Sequence, residues 1–163
     1  MPRISVDAAG GLNVCAFLDM LAWSEGTSTM KGSDDGYNVI VGHTLFPATP
    51  AGYADHPRIL VPLQKLGIKS SAAGRYQVLA RYFDHYKKEL RLPGFDPVSQ
   101  DCIALRQIKE ERAFGAVLEG DFERAVYLVK NIWASLPGAG YGQHEHKLDA
   151  LLGVFCLHGG EPA

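Results

Sequence analysis

Ala16-Phe17-Leu18-Asp19-Met20-Leu21-Ala22-Trp23-Ser24-Glu25-Gly26-Thr27 is the stretch on which the reading of this chain turns. Val14, Phe17, Leu18 and Leu21 recur at i, i+3, i+4 and i+7, the spacing of an amphipathic helix with one buried face. Gly26 predicts the end of that helix, because glycine enters the left-handed conformation without a Cβ clash. Glu25 then falls in the last turn, near the negative pole of the helix dipole, where ionisation of a carboxylate is disfavoured. Apolar neighbours such as Trp23 disfavour the charge further by desolvation. A carboxylic acid that keeps its proton near neutral pH is what a glycosidase needs to protonate a leaving oxygen. A solvated glutamate at a helix end is the plainer alternative.

Outward from this helix, the elements fall into two unequal groups. Ser28 to Gly36 is polar and turn-rich, and Tyr37 to Gly42 reads as a short strand from its β-branched residues. His43 to Pro62 is crowded with Pro, Gly and Ala, which predicts an irregular or hairpin excursion of the kind that more often forms a functional surface than a mere connection. From Ala73 the pattern is helical nearly to the end. Leu79, Tyr82, Phe83, Tyr86 and Leu90 form one stripe, and Asp96-Pro97 caps a helix predicted to bury Val98, Cys102, Leu105 and Ile108. Gly120-Asp121 separates a short helix from a longer one carrying Phe122, Ala125, Val126, Val129, Ile132, Trp133 and Leu136. Pro137 to Gly142 must be a loop, and Leu148, Leu151, Leu152 and Phe155 mark a last helix ended by Gly159-Gly160. The expectation is an α+β chain, a small β region near the N-terminus and a larger helical lobe, with a ligand cleft between them.

Composition removes several classes of function. The 163 residues suffice for one domain with a real core, and shares of 47% hydrophobic and 21% charged residues fit a globular protein rather than a disordered one. A formal net charge of −2 argues against nucleic acid as a partner, since phosphate binding leans on clustered Lys and Arg. Cys15, Cys102 and Cys156 are odd in number and far apart, so no disulfide framework or zinc ribbon is expected, and all three read as small buried residues in helical patterns. No stretch approaches the roughly 20 apolar residues of a membrane span, and Met1 to Leu12 lacks the parts of a secretory signal. The expectation is a cytoplasmic monomer without membrane insertion, so a target beyond the inner membrane would require a separate permeabilising protein.

Four segments in order carry more special residues than structure alone needs. They are Ala22-Trp23-Ser24-Glu25-Gly26-Thr27, Gly36-Tyr37-Asn38-Val39-Ile40-Val41-Gly42, Ala73-Gly74-Arg75-Tyr76-Gln77, and Asn131 through Gln143. Together they closely resemble the lambda-type phage endolysins, over about residues 16–155. The resemblance implies a lysozyme-like fold and cleavage of peptidoglycan glycan strands between N-acetylmuramic acid and N-acetylglucosamine. It implies a lytic transglycosylase, which forms a 1,6-anhydromuramoyl end instead of adding water, and host cell lysis as the purpose. The family's acid is the Glu of its W-S-E-G motif, here Glu25. Gly74 to Gln77 resembles the Gly-x-x-Gln that lines related sites, with Arg75, Tyr76 and Gln77 following glycine at an expected helix start. Tyr141 and Gln143 resemble aromatic and amide sugar contacts, and Tyr37 is expected at the cleft edge.

The chemistry is consistent with one acid. Ordinary glycosidases need two carboxylates. A transglycosylase uses one group twice, as acid to the glycosidic oxygen and as base to the muramic acid 6-hydroxyl, and intramolecularity supplies much of the rest. The hydrolytic alternative pairs Glu25 with Asp34, as in the E-x8-D-x5-T pattern of T4-type phage lysozymes, but the threonine position holds Ile40. A non-catalytic glycan-binding module is the alternative of another class. Gln143-His144-Glu145-His146 invites a metal reading but has no third ligand at a specific spacing, so no metal or cofactor is expected. Residues 1–14 form an extension that departs from the family pattern, and Phe46 to Lys69 matches it only in places, Asp55-His56-Pro57-Arg58 best.

Overall fold

The computed structural model describes residues 1–142 and 144–163. A short α1 (Val6–Ala9) leads into α2 (Leu12–Ser24), which is buried from Val14 to Ala22 and again at Ser24. The expected single apolar face is therefore corrected to a helix buried all round, because α1, α5 and α7 enclose it. Gly26, at φ 71°, stops it as its sequence predicted, and Thr27 N–H closes onto Ala22 O at 3.1 Å.

The β region is two separate antiparallel hairpins. β1 (Val39–Ile40) pairs with β2 (Thr44–Leu45), and β3 (Val61–Leu63) pairs with β4 (Ile68–Ser70) across a single 3₁₀ turn at Gln64–Leu66. The predicted strand at Tyr37–Gly42 shrinks to two residues. A clasp joins the first hairpin to the helical lobe: Gly74 N–H donates to Val39 O at 2.7 Å, while Ala73 and Val78 exchange two backbone bonds. Arg75, Tyr76 and Gln77 thus occupy a tight turn, not the helix start expected from the sequence. Gly74 is required there, since a Cβ at its φ of 79° would collide with the Gln100 amide and the Phe95 ring.

The helical lobe comprises α3 (Ala80–Glu89), α4 (Pro97–Glu110), α5 (Phe114–Glu119), α6 (Phe122–Val129) and α7 (Leu148–Leu157). Asp96 caps α4 as expected, its Oδ1 accepting from Ser99 N–H at 3.1 Å with Pro97 next in line. The buried face of α4 differs from the predicted one. Leu105 and Ile108 are buried as expected, but Val98 is exposed and Cys102 half-buried, while Gln100, Asp101, Ile103 and Ala104 also face inward. Polar side chains won those positions because each finds a buried partner. Cys156 is exposed and only Cys15 is fully buried, which corrects the reading of three buried thiols. α6 stops at Val129 instead of running to Leu136. Two successive turns follow, closed by Ile132 N–H to Val129 O and Leu136 N–H to Trp133 O. No helix among the described residues is long and apolar enough to cross a membrane.

Candidate active site

An open cleft of about 1330 Å³ separates the β3–β4 hairpin from the helical lobe. Glu25, Tyr76, Gln77, Ile132, Trp133 and Ala134 form one wall. Leu60, Pro62 to Leu66 and Ile68 to Ser71 form the opposite one, and Arg81, Gly142 and His144 also line the cleft. The wall around Glu25 is stitched from distant segments: the Trp133 indole donates to Tyr76 O at 3.2 Å, and the buried Thr27 hydroxyl lies 2.6 Å from Arg75 O.

Glu25 is the C-cap of α2, and among the described residues lining the cleft it is the only carboxylate. Burial pushes its pKa above the ordinary glutamate range, and the hydroxyl and backbone N–H of Ser135 work in the opposite direction. The Ser135 hydroxyl stands 2.6 Å from Oε1. Trp23 packs its ring on His146, centroids 4.5 Å apart, and His146 Nε2 donates to Ser24 O at 3.1 Å. Histidine here braces the acid's neighbours. Glu145 accepts from the backbone N–H groups of Gly138 and Gly140, both at 2.8 Å, so it holds the glycine-rich loop in shape. Among the described residues, no three His, Cys, Asp or Glu side chains group closely enough to hold a metal ion.

Two expected cleft residues lie in the interior. Tyr37 is fully buried, and its hydroxyl donates to Asp101 Oδ1 at 2.8 Å; Tyr76 donates to the same oxygen at 2.7 Å. Asp101 Oδ2 accepts from the backbone N–H groups of Arg3 and Ile4 at 2.7 and 2.8 Å. Four donors thus fill the carboxylate, and residues 3–4 of the N-terminal extension supply two of them. Tyr37 therefore serves this network and not the cleft edge, while Tyr76 contributes ring surface to the wall with its hydroxyl engaged behind it. Arg75 is 1% exposed, its Nη2 2.5 Å from Asp19 Oδ1 and its Nη1 2.8 Å from Asp35 Oδ1, with a further bond to Asp35 O. It faces away from the cleft because the buried Asp19 holds it on the far side of the turn. Gln77, at φ 52°, does line the cleft, with Nε2 donating to Gly74 O at 3.0 Å. Tyr141 is outside the lining, its hydroxyl bonded to Asn131 O at 2.8 Å, and Gln143 lies outside the described residues.

The opposite wall is basic. Lys65 and Lys69 line it and Arg81 of α3 lines the same cleft, none of the three with a carboxylate within ion-pair distance among the described residues, whereas Arg58 is gripped by Asp55 at 2.8 Å and Asp84 at 2.6 Å. His56 anchors the hairpin's root between the Phe83 and Phe95 rings, donating from Nε2 to Val78 O and accepting Arg58 N–H at Nδ1. Asp34 is committed elsewhere, accepting from Tyr53 Oη and Arg3 Nη2, both at 2.9 Å, and does not line the cleft.

A helical lobe and small hairpins around a cleft, with a half-buried acid at the end of the central helix, are the features of a lysozyme-like enzyme. The chain belongs to the endolysin family, whose model matches residues 15–162. It is 54% identical to the endolysin of Escherichia phage lambda over 147 residues, 89% of this chain and 90% of that one. With the endolysin of Escherichia phage P2 it shares 47% over 157 residues, 93% and 95% of the two chains. Bacteriophage lambda lysozyme complexed with a chitohexasaccharide superposes with a TM-score of 0.88 at 49% identity, covering 100% of both chains. A second structure, lysozyme from bacteriophage lambda, gives 0.84 at 48%, again with full coverage of both chains.

Proposed function

We propose that this protein cleaves the β-1,4 bond between N-acetylmuramic acid and N-acetylglucosamine in peptidoglycan by lytic transglycosylation. The observation that carries the reading is that Glu25 is the single carboxylate among the described residues lining the cleft, while Asp34 is bound elsewhere to Tyr53 and Arg3. Glu25 gives its proton to the glycosidic oxygen as the C1–O4 bond breaks. The resulting carboxylate takes the proton of the muramic acid 6-hydroxyl as that oxygen attacks C1, which restores the acid and closes the 1,6-anhydro ring. No water is activated and no second carboxylate is needed, because the nucleophile belongs to the sugar itself. Support for a glycan substrate comes from the chitohexasaccharide bound by the similar lambda lysozyme. Within this reading the enzyme is a monomer made in the host cytoplasm, and it reaches the wall once a separate protein opens the inner membrane.

Mass spectrometry of muropeptides released from purified peptidoglycan tests the reaction type. Products ending in 1,6-anhydromuramic acid are expected. Reducing ends that take up borohydride in most products would show hydrolysis and return attention to Asp34.

A further inference from the structure

The turns that follow α6 carry one hydroxyl into contact with the acid. Ser135 is 9% exposed, and its Oγ lies 2.6 Å from Glu25 Oε1 and 3.0 Å from Ser24 Oγ. The Ser24 hydroxyl lies 2.8 Å from Leu21 O. A carbonyl oxygen only accepts, so the Ser24 proton is committed there and Ser24 can only accept from Ser135. Ser135 therefore has one proton and two acceptors. A charge-assisted hydrogen bond is about twice as strong as a neutral one, so an ionised Glu25 takes it.

Resting on the reading of Glu25 as the acid, we propose that Ser135 is its positioning residue, pinning Oε1 so that Oε2 carries the proton in both transfers. The terminal torsion of a glutamate is broad and roughly two-fold, so an unheld carboxyl presents either oxygen. With Oε1 held, the proton leaves from Oε2 with the departing sugar oxygen, the negative charge rests against the Ser135 hydroxyl, and the 6-hydroxyl proton returns to Oε2. Ser135 keeps its own proton throughout, and the carboxyl need not rotate between the two steps. Ser24 sets the strength of the grip by competing as acceptor.

The surroundings leave this contact distinctive. Trp23 and Ser24 adjoin Glu25 on α2, and His146 reaches Ser24 O and the Trp23 ring. His43, Arg58, Lys65, Lys69, Arg81 and His144 line the cleft beyond. None of these is altered by trimming a serine, so a change in the acid's titration reports on the serine itself.

The test compares Ser135→Ala, Ser24→Ala and Glu25→Gln on purified peptidoglycan across pH, with folding checked by circular dichroism and chitohexasaccharide binding. An acid works only while protonated, so kcat/KM falls as pH rises through the Glu25 pKa. Ser135→Ala removes a donor to the charged form, which raises that pKa. The alkaline limb should move up by about one pH unit, with kcat lower by about ten- to a hundredfold and KM nearly unchanged. Ser24→Ala removes the competing acceptor and should move the limb the other way, by about a few tenths of a pH unit. Opposite displacements support the proposal. A Ser135→Ala enzyme with wild-type kcat and limb overturns it, as do two limbs displaced in the same direction. Should Ser135→Ala fail to fold, the sign of the Ser24→Ala displacement decides. Activity surviving in Glu25→Gln would instead defeat the acid assignment, which separates failure of that reading from failure of this one.

Discussion

The two walls of the cleft are built on opposite plans. Behind Glu25, Tyr76, Trp133 and Leu136 are at most 2% exposed, and Thr27, Trp133 and Ser135 join segments far apart in the chain. The β3–β4 hairpin facing them has Leu60 at 62% and Ile68 at 56% exposed, with only Val61 packed partly against the core. One wall fixes a carboxyl to within a hydrogen bond; the other presents apolar and cationic side chains on a two-stranded ribbon that is marginal by itself. The contrast teaches a division of labour. On the proposed mechanism, proton transfer from Glu25 draws on the placement that a packed interior provides, whereas holding a long, irregular polymer draws on a surface that can adjust.

The sharpest way to break this picture is Glu25→Gln, which keeps shape and bonding capacity but removes the acid. Turnover on purified wall should fall at least about 100-fold while glycan binding persists; near-normal lysis by a folded variant would place the chemistry elsewhere. Next in size is Asp19→Asn, aimed at the rigid wall from behind. It strips the fully buried counter-charge 2.5 Å from Arg75, itself 1% exposed, so the unfolding free energy in urea should drop by about 3 kcal/mol. Asp35→Asn, at the 34% exposed partner, should cost clearly less. Equal losses would mean that depth does not distinguish the two contacts. Smallest is the cationic charge that faces the cleft from the hairpin and from α3. Lys65→Gln, Lys69→Gln and Arg81→Gln combined should slow lysis several-fold at low salt and flatten its salt dependence, because attraction to wall carboxylates is screened by ions. Chitohexasaccharide, which has no charge, should bind the triple variant as it binds the parent; an equal loss on both ligands would point to a collapsed hairpin instead.

What could be read from the sequence was what depends on near neighbours. Gly26 after Glu25, Asp96-Pro97 and Gly120 each end or begin a helix where local rules put them. Side chains whose partners lie far along the chain were misplaced. Tyr37 looked like a cleft residue because Asp101, 64 positions away, is invisible from its own segment, and Arg75 was misread for the same reason, Asp19 lying 56 positions off. The Ile132–Leu136 run had helical spacing, yet the chain leaves the helix at Lys130 so that Trp133 can reach Tyr76 O and Ser135 can reach Glu25. A serine inside a turn carries no pattern of its own. Only the contact 110 residues away makes it a site residue.

The helix that ends in Glu25 is enclosed on every side from Val14 to Ala22. Its amides have no local route to water, so they should meet solvent only when the core opens and fall in the slowest class of a hydrogen-exchange experiment. The hairpin across the cleft, with few packed side chains, should fall in the fastest. On the proposed mechanism, fraying of that hairpin changes how the polymer is gripped without moving the proton donor. The Glu25 carboxyl itself is displaced only with the core, in the cooperative step that ends the packing around α2.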